Sequence, residues 1–292
     1  MIGEILSALN IVEKAGRFFV WVRKTRKDPA DTVSSRFIEL FESHDVHRNQ
    51  IPRFFGHGLT VKDVQDEATL LGKLDEPLLD AACSLFGVRR EWLEGAESQV
   101  YPCHDFYKHP EEVAPFLTAL AEKNPEGSLD GVLVAPAEKE GVALVVLREA
   151  IGSVGEKPIY RYHLCGNWLF EYWKSRAYLT AFVAIAWKHG VHVRGSFLPS
   201  KEIERIAEGE ALLCAENGGS ISKGVKLWYP EDMALEPEVY LSGIDPESDK
   251  FGLKAALNLW LKLEEYGYME TGLSMYKREV VRGSFEQALG RL

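Results

Sequence analysis

The chain has 292 residues, with 34 lysines and arginines against 44 aspartates and glutamates, a formal net charge of −10. Hydrophobic residues make up 46% and charged residues 27%, which excludes a wholly disordered chain and leaves room for two domains. An acidic chain has no general attraction to phosphate, so any contact with nucleic acid must come from a local basic surface.

Residues 1–32 read as an amphipathic helix and a basic arm. Ile2, Ile5, Leu9, Val12, Gly16 and Phe19 fall at alternating spacings of three and four, the stripe of a helix–helix seam. Arg23, Lys24, Arg26 and Lys27 close the helix before Pro29. The stripe suits packing on the chain's own core or a homodimer seam through residues 2–22. Phe18, Phe19 and Trp21 beside cations also suit a membrane-surface helix, against which Glu4 and Glu13 argue.

Residues 33–98 read as four or five short helices. Ser34 or Ser35 is a candidate cap for the first, with Phe37, Ile38, Leu40 and Phe41 as its apolar positions. QIPRFFG, from Gln50 to Gly56, is the second. Thr60 caps a third reaching Leu71, with Val61, Val64, Leu70 and Leu71 apolar and Asp63 in its first turn. Asp75 or Glu76 opens the fourth, DAACSLFGVRREWLEG, where a packed helix stops at Gly87 and Trp92-Leu93 makes one more turn.

That last run resembles the end of a phage-repressor-type (XRE-like) helix-turn-helix domain, over about residues 33–95. The resemblance implies that the second and third helices, Gln50–Phe55 and Thr60–Leu71, form the motif, with the third in the major groove. It implies phosphate contacts from Arg36, Arg48, Gln50 and Arg53, with Lys62 on the groove-facing helix. Three features depart from the family: Pro52 lies in the second helix, the connecting GHGL is longer and more flexible than the family's usual turn, and Asp63, Asp66 and Glu67 lie in the third helix.

Residues 99–292 read as an α+β part of sensor type, an antiparallel sheet with helices on one side. A helix over Pro110–Lys123 precedes the β-rich runs GVLVAPA (131–137), GVALVVL (141–147) and PIYRYHL (158–164). A helix over 169–189, a strand over 191–198 and a helix from Ser200 follow. Residues 215–250 read as irregular, and helices over 250–266 and 274–289 close the chain. Alternation puts Ile159, Arg161 and His163 on one face of their strand and Tyr160 and Tyr162 on the other.

Aromatic rings crowd residues 160–187, and cations are interleaved with them. Trp168, Tyr172, Arg176 and Arg194 are the candidate contacts for a small ligand, an anion or an aromatic metabolite; the alternative is a core of large side chains with snorkelling cations at its edge. Catalytic motifs are lacking: there is no GxSxG, HExxH, phosphate-binding loop or dinucleotide glycine fingerprint. Cys103, His104 and Asp105 are neighbours that point different ways on a strand. Glu138, Glu140, Glu149 and Lys157 have the wrong spacing for a nuclease set. Cys83, Cys103, Cys165 and Cys214 are scattered, as in reduced cytoplasmic thiols, and form no metal pattern. No leader or membrane span is evident. The expectation is a cytoplasmic DNA-binding transcriptional regulator with a ligand- or signal-sensing part, needing no cofactor. The alternative is a protein-interaction or scaffold module without a DNA role.

Overall fold

The computed structural model describes residues 23–24, 32–138, 140–213, 228–244 and 252–292. The expected helix over residues 1–27 and its dimer seam lie outside these, apart from the short strand β1 (Arg23–Lys24). Cys214 also lies outside them.

Six short helices follow in order: α1 (Val33–Ser43), α2 (Ile51–Phe54), α3 (Val61–Gln65), α4 (Glu67–Leu71), α5 (Glu76–Phe86) and α6 (Arg90–Leu93). Their ends are set by local chemistry. Thr32, rather than Ser34 or Ser35, caps α1 by accepting from the Ser35 backbone N–H. Thr60 caps α3 in a reciprocal box with Asp63, and Asp75 caps α5. Pro52 falls in the first turn of α2, where no intrahelical bond is lost. Gly87 ends α5 at φ +68°, and a Cβ there would also crowd the Arg161 side chain.

The expected third helix, Thr60–Leu71, is two helices. Asp66 is extended between them, and its carboxylate caps α4 at the Thr69 N–H. A short polar side chain offers the backbone an alternative to continuing the helix, and here the alternative wins.

Strands β2 (Cys103–Asp105), β3 (Leu129–Pro136), β4 (Val142–Val154), β5 (Lys157–Leu169) and β6 (Val193–Leu198) form one sheet in the order β2-β5-β4-β3-β6. The fold is thus mixed α and β. The sheet is mixed too, where an antiparallel one was expected. β3 and β6 run parallel, from Gly131 opposite Val193 to Pro136 opposite Leu198. The physical reason is the crossover: β4, β5 and the helix Trp173–Lys188 intervene between them, enough chain to return in the same direction. β7 (Ala211–Leu212) pairs antiparallel with β1. The remaining helices are α7 (Val113–Lys123), α8 (Trp173–Lys188), α9 (Ser200–Ala207), α10 (Asp232–Leu235), α11 (Pro237–Leu241), α12 (Gly252–Glu265) and α13 (Arg278–Gly290).

The chain divides into two compact units that do not follow sequence order. Among the described residues, unit one takes those within 1–103, 147–164 and 205–224, and unit two those within 104–146, 165–204 and 225–292. In unit one, Phe37, Phe41 and Phe55 pack ring on ring, Phe41 meets Phe86 edge-on at 4.9 Å, and Trp92 is fully enclosed. In unit two, α8 is buried around most of its circumference and packs on α12, and Trp260 stacks on Phe285 at 3.5 Å.

Gly195 on β6 lies against the Trp228 indole and exchanges backbone hydrogen bonds with that residue. An added Cβ would overlap the indole, whose ring also stacks on Phe197. Gly195→Ala is therefore expected to cost about 1–3 kcal/mol through overpacking. Urea unfolding of the variant checks this, and an unchanged midpoint would contradict it.

Candidate functional site

The helical segment of unit one holds the residues that a DNA-binding reading needs. Arg36 is the first surprise: it is only 7% exposed, sits over the Trp92 ring and donates from Nη1 to the Trp92 carbonyl at 2.6 Å. It ties α1 to α6 and does not face solvent. Arg48 is half-buried and donates from Nε to the Glu42 carboxylate at 3.0 Å. Gln50 accepts from the His47 N–H through Oε1, closing the cap of the 3-10 turn Arg48–Gln50. Arg53 on α2 and Lys62 on α3 are exposed. Of the five expected DNA contacts, three serve the fold and two remain presented.

Two amides that sequence reading passed over lie beside them. Asn49 and Gln65 are exposed, and Gln65 Nε2 donates to Asn49 Oδ1, linking the start of the second helix to the end of α3. Asp63 faces Thr60, whose hydrogen bonds hold its carboxyl below the usual carboxylate range. Thr69 does the same for Asp66. Both carboxylates are thus fixed as helix caps.

Below this segment unit one contains two polar centres. Glu149 on β4 is 2% exposed and is gripped from β5. Arg161 donates to both its oxygens, from Nε at 2.9 Å and Nη2 at 2.5 Å, and His163 Nε2 donates to Oε2 at 2.8 Å. The third arm of Arg161, Nη1, reaches the Ser84 carbonyl on α5 at 3.0 Å. Strand alternation places Arg161 and His163 on one face, as expected. Their partner Glu149 could be found only once the register of β4 against β5 was known.

The second centre is His44, fully enclosed among Phe86, Tyr101 and Tyr162. Nδ1 donates to the Leu40 carbonyl at 2.7 Å, which leaves Nε2 to accept from Tyr101 Oη at 3.2 Å. Tyr101 Oη accepts in turn from the Leu213 N–H. Burial pushes the imidazole down to about 4, so it is neutral.

In unit two the four expected ligand contacts lie at different depths. Trp168 is fully buried, and its Nε1 donates to the Cys165 carbonyl at 3.0 Å. Tyr172 is half-buried at the start of α8, and Arg194 is exposed on β6. Arg176 is 1% exposed, lies 3.7 Å from the Phe170 ring centroid and donates to the Phe170 and Tyr240 carbonyls. Burial lowers its guanidinium to about 10, and no carboxylate among the described residues pairs with it. The Cys103, His104, Asp105 trio is split by alternation: Cys103 and Asp105 are exposed, while His104 packs against Phe116.

No protein-family model, curated protein or solved structure matches this chain. The geometry defines a mixed α/β protein of two compact units, one of them carrying a run of six short helices.

Proposed function

We propose that the chain is a DNA-binding regulator whose residues 33–98 form a phage-repressor-type helix-turn-helix. In this reading an α+β part takes a ligand or protein signal, and a cytoplasmic homodimer forms through residues 2–22. The observation that carries the reading is the order α1–α6: six short helices, four of them capped by a side chain, with glycine-bearing turns, ending in the Gly87 stop and the Trp92-Leu93 turn. The DNA face is revised. Arg53 and Lys62 meet phosphates, and Asn49 and Gln65 offer the amide donors and acceptors that read base edges.

The test is a fluorescence titration of the full chain on a duplex from its own upstream region, at two salt concentrations. Arg53→Ala with Lys62→Ala is expected to weaken binding and lower the salt slope by about 2. No salt-dependent binding at micromolar protein would overturn the proposal. A second reading, a protein-interaction module, draws on a cavity of about 410 Å³ in unit one. Glu39, Glu42 and Glu67 stand around it with Arg48, which is paired to Glu42, so the lining is net acidic and suits a basic peptide better than a phosphate.

A further inference from the structure

Unit two carries a groove whose chemistry is out of keeping with a chain of net charge −10. Two concavities, of about 500 and 260 Å³, share Lys108, Tyr178, Leu259 and Lys262 and so form one groove. Trp173 and Lys174, from the first turn of α8, line the larger part. Lys108, Lys174 and Lys262 make no ion pair with any described carboxylate, although acids outnumber bases along the chain. Glu111 is the one acid lining the groove, at the far end of the smaller part.

Two of these cations lie against aromatic rings. Lys174 Nζ lies 4.9 Å from the Trp173 ring centroid, and Lys108 Nζ lies 4.7 Å from that of Tyr107. Tyr172 meets Trp173 at 6.0 Å and Tyr178 meets Tyr107 at 5.8 Å, both edge-on, which fixes the orientation of the rings. Burial raises the phenols of Tyr107 and Tyr178, so both stay neutral.

We propose that this groove binds a nucleoside phosphate, with the base on the Trp173 and Tyr178 rings and the phosphate held by Lys108, Lys174 and Lys262. An aliphatic acid would use the lysines and leave the rings idle; a neutral aromatic would do the reverse. A flat base joined to an anion uses both. The same chemistry is met in a free nucleotide or in one unit of a single strand. The proposal names a ligand for the sensing half of the proposed function. It is read in unit two without duplex DNA, so either idea can fail alone.

The experiment is calorimetric titration of the full chain with ADP in one arm and a ten-residue oligothymidylate in the other. Variants are Trp173→Leu, Lys174→Glu and the exposed Lys262→Glu, with melting curves to verify folding. Saturable binding by ADP that any folded variant weakens about tenfold or more supports a free nucleotide as the ligand. Binding by the oligonucleotide alone, weakened in the same way, supports a single strand. Absence of binding in both arms overturns the proposal, as does binding that every folded variant retains at wild-type strength.

Discussion

Replacing Arg161 by methionine is expected to destabilise unit one by about 3 kcal/mol, the usual cost of stranding a buried charge. Glu149 is nearly inaccessible, and Arg161 supplies two of the hydrogen bonds that replace its hydration. In the variant the carboxylate keeps His163 and loses its fixed positive charge. The Ser84 carbonyl at the end of α5 loses its donor as well. Thermal melting is the measurement, with a drop of roughly 6–12 °C expected for a unit of this size. The double variant Glu149→Met, Arg161→Met is expected to melt above the single one, because no charge is then stranded. A single variant that melts with the wild type would show that the triad carries no weight.

The second large effect is a pH dependence set by His44. Its folded value is about 4, against about 6.5 when unfolded. Between these values the unfolded chain binds more protons, so stability is lost as pH falls from 6.5 toward 4 and is complete above 6.5. The full effect is about 3 kcal/mol. Glu231 in unit two acts in the opposite sense: burial raises its carboxyl to about 7, so its protonation favours the fold as pH falls through the same range. The wild-type profile alone therefore mixes both groups. The difference in unfolding free energy between wild type and His44→Gln, measured from pH 7.5 to 4.5, isolates the imidazole. That difference is expected to shrink steadily with falling pH; a constant difference would falsify the assignment.

Most of what could be read from the sequence depends on a few adjacent residues, although the Thr32 cap of α1 was not read. Thr60, Asp75 and Gly87 set helix ends through bonds made within three or four positions, and each was legible. The break at Asp66 was hidden, because Val64 and Leu70 continue an apolar stripe across it while its side chain favours a new cap. Arg36 was misread for a different reason. Nothing near it signals burial; the Trp92 carbonyl that accepts from it is 56 residues away. The parallel pairing of β3 with β6 and the partner of Arg161 and His163 likewise depend on register and crossover, which alternation within one strand does not encode.

The discontinuity of unit one has a consequence for how the protein is made. Helices α1–α6 and Tyr101 emerge from the ribosome early, but the hairpin segment 147–164 that supplies Glu149, Arg161 and Tyr162 comes later. The Leu213 N–H that completes the His44–Tyr101 chain comes later still. At translation speeds of about 5–20 residues per second, the first helices wait on the order of 5–20 s for their last partner. For the first part of that interval His44 lacks the Tyr162 ring that packs on it in the finished fold. A nascent chain halted near residue 100 should therefore be a good client for chaperones, and one released past residue 213 a poor one.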